Sequence, residues 1–183
     1  MARWELEPGH TAAEFCVRHM MVTWVRGHFK NVHGTLEFDP DAPERSSVEA
    51  VLDARGLWTG DPQRDAHLKS GDFLDAEKHP TITFRGSEVK VVGPSEFTVA
   101  GDLTIRGVTR RASMRVTYLG QWTTPYWEDG VDKGPMLRAG FLAQLLLDRN
   151  DFGVSWQSEL PRGGLVVGND VLITIDAEAL RKA

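Results

Sequence analysis

The chain has 183 residues and a formal net charge of −5, with 21 Lys and Arg against 26 Asp and Glu. Its 41% hydrophobic and 26% charged residues fit a globular protein and exclude collagen, coiled coil and wholesale disorder. The acidic balance argues against a dedicated nucleic-acid binder, and no run approaches the ~18 apolar residues of a transmembrane helix.

The length predicts one domain over 1–183, able to bury a core without staples. The opening MARWELEPGH has no basic stretch followed by an apolar one, so no secretory signal is expected. Cys16 is the only cysteine, which excludes an internal disulfide. Both features fit a cytoplasmic protein.

In chain order, the pattern predicts eight principal strands: 13–20, 28–38, 48–55, 81–92, 96–105, 111–118, 136–148 and 171–178. Alternation is cleanest where Arg111, Ser113, Arg115 and Thr117 oppose Ala112, Met114, Val116 and Tyr118. The segment 122–127 reads as a loop or an edge, given Pro125. Asp39-Pro40, Gly93-Pro94, Arg106-Gly107, Glu128-Asp129-Gly130 and Gly163-Gly164 mark turns. These short connections favour antiparallel neighbours.

Helix is scarce. Asp61 is an N-cap with Pro62 at the first helical position, and about two turns follow through Lys69. A second short helical turn over 73–78 must end by His79, which precedes Pro80. A helical insertion therefore lies between the third and fourth strands. Eight such strands can close into a barrel or stack as a sandwich, and closure removes the exposed edges. An eight-stranded barrel is either filled by side chains or holds one small ligand.

Catalytic signatures are absent: no G-x-S-x-G, H-E-x-x-H, Walker A or G-x-G-x-x-G. His28 and His33 fall on opposite strand faces and read as surface histidines; no metal or cofactor is expected. Cys16 has the opposite parity to Phe15 and Val17, with little to activate it. His19 shares their parity, as either a core histidine or a polar contact for a ligand. Arg64, Asp65 and His67 read as capping and pinning the short helix rather than as acid and base. Arg149, within 148–153, reads as a structural pin that bridges two loop carboxylates or backbone carbonyls, with a ligand headgroup as the alternative. Trp4, Trp24, Trp58, Trp122, Trp127 and Trp156 either plug the barrel ends or line an entrance. The strand 136–148 is apolar on both faces, so Leu142 and Leu146 need cover from a loop, a partner subunit or a membrane surface; a homodimer is the preferred reading.

Several segments carry a family resemblance. The start Trp4 to Val17, with His10, Phe15 and Val17, resembles a W-x-(L/I)-x-P-x-H opening followed by F-x-V. Val25-Arg26-Gly27-His28-Phe29 is similar to a V-x-G-x-F turn. Thr59-Gly60, Arg64 to Leu68, Asp72-Phe73 and His79 to Phe84 form the most specific block. Gly101 to Thr109, Arg149 to Val154 and Val167 to Val171 complete the set. In this order they resemble the YceI-like family of lipocalin-like polyisoprenoid-binding barrels. The segment 54–58 and the connection 118–135, with Trp122, Tyr126 and Trp127, depart from the family where a barrel mouth could be shaped.

The resemblance implies an all-β, eight-stranded antiparallel lipocalin-like barrel holding an amphipathic lipid-like molecule. Isoprenoids, isoprenoid quinones and fatty amides are the implied ligand classes, for carriage, storage or sequestration. No catalytic residues come with it, so no enzyme is expected. Phe15, Val17, Leu36, Phe38, Leu52, Phe84, Leu103, Phe141 and Trp156 are the expected lining, with His19 and Arg149 as headgroup contacts. The alternatives are an enzyme on a hydrophobic small molecule, with His19, Asp65 and His67 as acid and base, and a side-chain-filled stress or interaction protein.

Overall fold

In the computed structural model, which describes residues 1–182, β1 (Ala2–Leu6) and β2 (Ala12–His19) follow one another along one edge of β12 (Val167–Lys182). β3 (Thr23–Phe29) returns beside β2, and β4 (His33–Phe38) returns beside β1. The sheet then continues through β5 (Ser47–Asp53), β6 (Thr81–Gly93), β7 (Glu96–Ile105), β8 (Val108–Glu128) and β9 (Val131–Asp148). β9 pairs with β12 and closes the ring. With β1–β2 and β3–β4 each counted as one interrupted strand, this is the expected eight-stranded antiparallel barrel. The helix α1 (Pro62–Lys69) lies between the third and fourth of these strands. A small hairpin, β10 (Glu159–Leu160) with β11 (Gly164–Leu165), precedes β12.

Local chemistry explains the joints. Asp61 caps α1 by accepting the N–H groups of Gln63 and Arg64. Two-residue turns join β7 to β8 at Arg106-Gly107 and β8 to β9 at Asp129-Gly130, all four residues left-handed, as tight hairpins require. Gly86 and Gly101 face each other across β6 and β7. A Cβ on Gly101 would sit 2.1 Å from the Arg85 carbonyl oxygen, so only glycine allows the strands to approach there.

Five segments differ from the pattern reading. The span 28–38 is broken at 30–32, where Asn31 is left-handed and Val32 turns into the core. Residues 2–6 and 23–29 form additional paired segments. Residues 73–78 make hydrogen-bonded turns instead of a helix, because Asp75 adopts φ 49°. The stretch 122–127 is strand, continuing β8 against β9. Pro125 and Pro135 pair there beyond the ends of β7 and β12, so neither lacks an N–H that a neighbouring strand needs.

One end of the barrel is solid. Trp4 is 1% exposed and donates its indole N–H to the Phe38 carbonyl at 3.1 Å. Around it, Phe38 packs against Phe97, Tyr118 and Phe141 with centroids 5.0–6.5 Å apart. Burial raises the Tyr118 pKa above its ordinary value. The long β8–β9 hairpin extends past this plug, with Trp122 and Trp127 exposed. The sequence places these tryptophans where a barrel mouth could be shaped; they lie beyond the closed end because the strand predicted over 111–118 runs on to Glu128.

Candidate functional site

The opposite half of the barrel is hollow. A cavity of about 200 Å³ lies between the aromatic plug and a smaller cluster of Ala13, Phe15, Phe29 and Leu57. Alternate residues of the strands form its wall: Phe15 and Val17 of β2, Leu52 of β5, Phe84 of β6, Leu103 of β7, and Val171, Ile173 and Ile175 of β12. The lid comes from two loops. Leu68, Phe73 and Leu74 enter from the helical insertion, and Phe152 and Val154 from the segment after β9.

The specific sequence blocks explain how that lid is held. Asp65 is buried, and its Oδ1 accepts both the Thr59 N–H (2.9 Å) and the Thr59 hydroxyl (2.5 Å). Arg64 Nε donates to the Thr59 hydroxyl oxygen at 2.8 Å. His67 Nε2 lies 2.8 Å from Asp72 Oδ2, and its ring stacks edge-on against Phe73 and Trp156. Arg106, in the β7–β8 turn, donates to the carbonyls of Gly71 and Gly153 and so joins the two lid loops. Asp65→Ala leaves the Thr59 donors unpaired. It is expected to cost roughly 1–3 kcal/mol in denaturant unfolding and to speed hydrogen exchange over 59–69.

Arg149 is the cation on the cavity wall, and it is 5% exposed. Its guanidinium donates to the carbonyls of Val154 (2.6 Å), Trp156 (2.9 Å), Gly168 (2.9 Å) and Val167 (3.4 Å). Desolvation lowers its pKa, partly offset by Asp148. The surrounding turn serves the same arrangement: Asp148 accepts the Asn150 N–H, and left-handed Gly153 ends the turn. This is the pinning role read from the sequence, and these bonds leave the group turned to backbone instead of a headgroup.

Of the expected lining, Phe15, Val17, Leu52, Phe84, Leu103 and Arg149 stand on the cavity wall. Leu36, Phe38 and Phe141 do not: they point inward as their parity requires, but within the core of the plugged half. Trp156 packs behind Phe73, outside the cavity. His19 sits at the end of β2, opposite Thr23 and Val167, also outside it. The acid and base candidates are likewise dispersed, since none of His19, Asp65 and His67 lines the cavity. Lining residues missed from the sequence, such as Ile173, Ile175 and Met114, carried a signal in their parity; Leu68, Phe73 and Phe152 carried none, since they lie outside the strands, on α1 and on the turns that fold inward.

Three further features lie outside the cavity. Cys16 is buried. Glu7, His10 and Glu178 meet where β1 breaks from β2, with His10 Nδ1 3.0 Å from Glu7 and 3.4 Å from Glu178, and Arg138 pairs with the same Glu178. On the outer face, Leu146 is exposed beside Leu172, whereas Leu142 is half-buried opposite Asp176.

The structure is thus a closed antiparallel barrel with an apolar internal cavity covered by the helical insertion and the segment after β9. The chain belongs to the YceI family: the YceI-like domain matches residues 4–179. A UPF0312 protein of Pseudomonas putida is 33% identical over 148 residues, covering 81% of this chain and 73% of the relative. One from Pseudomonas aeruginosa is 34% identical over the same shares. Burkholderia cenocepacia BcnA superposes with TM-score 0.77 at 21% identity, covering 94% of this chain and 98% of that one. A polyisoprenoid binding domain from Saccharophagus degradans does so with TM-score 0.64 at 12% identity, covering 96% and 97%. Among the described residues, no helix is long and apolar enough to cross a membrane.

Proposed function

We propose that the protein binds an isoprenoid or similar long-chain lipid in this cavity and carries, stores or sequesters it. The observation that carries the reading is the wall itself: aliphatic and aromatic side chains surround the space, and the guanidinium on it is engaged with backbone. Such a wall suits a chain. Each buried methylene contributes roughly 0.8 kcal/mol, less the cost of ordering the ligand. Phe15, Val17, Leu52, Phe84 and Leu103 are the chain contacts in this reading. The polyisoprenoid binding domain among the structural neighbours favours an isoprenoid over other chains. A second copy would pack on the Leu146 and Leu172 face.

The test is displacement. A fluorescent long-chain probe is expected to bind one per barrel and to be expelled by a polyprenol, and less well by a short alcohol. A probe that does not bind, or that no apolar chain displaces, contradicts the reading.

A further inference from the structure

The tip of the β2–β3 hairpin is built against local preference. Met20 and Met21 both hold left-handed backbone, φ 48° and 62°, in a turn closed by the Val22 N–H on the His19 carbonyl. Asn or Gly is the usual occupant of such positions; here two methionines take them, followed by Val22, which is 80% exposed. Trp24 is exposed just behind, with the Arg18 guanidinium 4.7 Å from its ring and donating to the Met21 carbonyl. An apolar tip ringed by tryptophan and arginine is the arrangement of a membrane-interface anchor, in which the indole sits at headgroup depth and the guanidinium reaches phosphate.

Charge points the same way. The protein is acidic overall, yet no Asp or Glu occurs between Glu14 and Glu37; Arg18 stands at the tip, while Arg26 pairs with Glu14 and Lys30 follows the far end of β3. In the adjoining β10–β11 hairpin, Glu159 and Arg162 balance. The tip is also continuous with the cavity wall: Met20 N–H donates to the Val166 carbonyl at 2.7 Å, and Val17 and Val167 on either side line the cavity.

We propose that Met20, Met21, Val22 and Trp24 dock the barrel on an anionic lipid bilayer, bringing its hollow half to the surface from which a chain is taken or to which it is returned. This rests on the reading that the cavity takes a lipid, but the two are tested separately. The full chain is mixed with vesicles of phosphatidylglycerol and phosphatidylethanolamine and sedimented, with phosphatidylcholine vesicles as control. Binding to the anionic vesicles is expected, weakened by salt. Met20→Asn with Met21→Gly gives the turn its preferred residues, so the fold is kept; binding is expected to fall at least tenfold. Val22→Asp is expected to do the same. Failure of the unaltered chain to sediment overturns the proposal, as does equal binding by both variants. A dimer in light scattering that both variants dissolve also overturns it, because a second copy then covers the tip. Displacement of the long-chain probe by polyprenol is unaffected by any of these results, and its failure counts against the cavity reading alone.

Discussion

Arg149→Met is expected to destabilise the protein by about 3–5 kcal/mol in denaturant unfolding. Methionine has similar reach and fills the same apolar surroundings, so little packing is lost. What is lost is donation to four carbonyls, those of Val154, Trp156, Val167 and Gly168, which lie on two separate segments. Arg149 itself is almost fully buried, so little water reaches its site in the folded protein. The carbonyls must be left short of partners or the turn must open. Opening withdraws Phe152 and Val154 from the lid, so the variant is also expected to bind the long-chain probe more weakly than its residual stability explains. Arg149→Lys keeps the charge but not the planar fork, and it is expected to recover less than half of the loss. An Arg149→Met protein within ~1 kcal/mol of the parent contradicts the pinning role.

Val17→Trp is expected to abolish lipid binding while leaving the barrel intact. Val17 faces the cavity beside Val171, and an indole added there takes much of a space of only about 200 Å³. The ring enters free volume, so the strain is expected to stay within the ~1–3 kcal/mol typical of overpacking. Probe affinity is expected to drop at least a hundredfold with an unchanged far-ultraviolet circular dichroism spectrum. Val17→Leu serves as the control and is expected to bind nearly as the parent does. Unaltered affinity in Val17→Trp places the ligand elsewhere.

Parity in a strand fixes which face a residue occupies, and so the inward set was legible: Phe15, Leu52, Phe84 and Leu103 all point into the barrel. Depth along the barrel axis was not. Leu36, Phe38 and Phe141 have the right parity at the wrong height, because tilt and stagger set height and a two-residue period contains neither. The gathering of large aromatics, with Trp4, Phe97 and Tyr118 joining them, marks the plugged half only after the register is known. Loop blocks were legible for a different reason. Asp61-Pro62, the Asp65 partner of Thr59 and the Asp148 to Gly153 turn each satisfy their own backbone locally, so their residue types announce their roles. The Met20-Met21 turn has no such marker, since neither residue favours left-handed backbone.

The most direct test is native mass spectrometry of the protein purified from its own host, with its extracted lipids identified in parallel. An intact complex with one long-chain lipid per barrel, lost in Val17→Trp, is the expected result. A protein that carries no lipid, gains none on exposure to polyprenol and isoprenoid quinone, and gives the same mass as Val17→Trp after allowing for the substitution contradicts it.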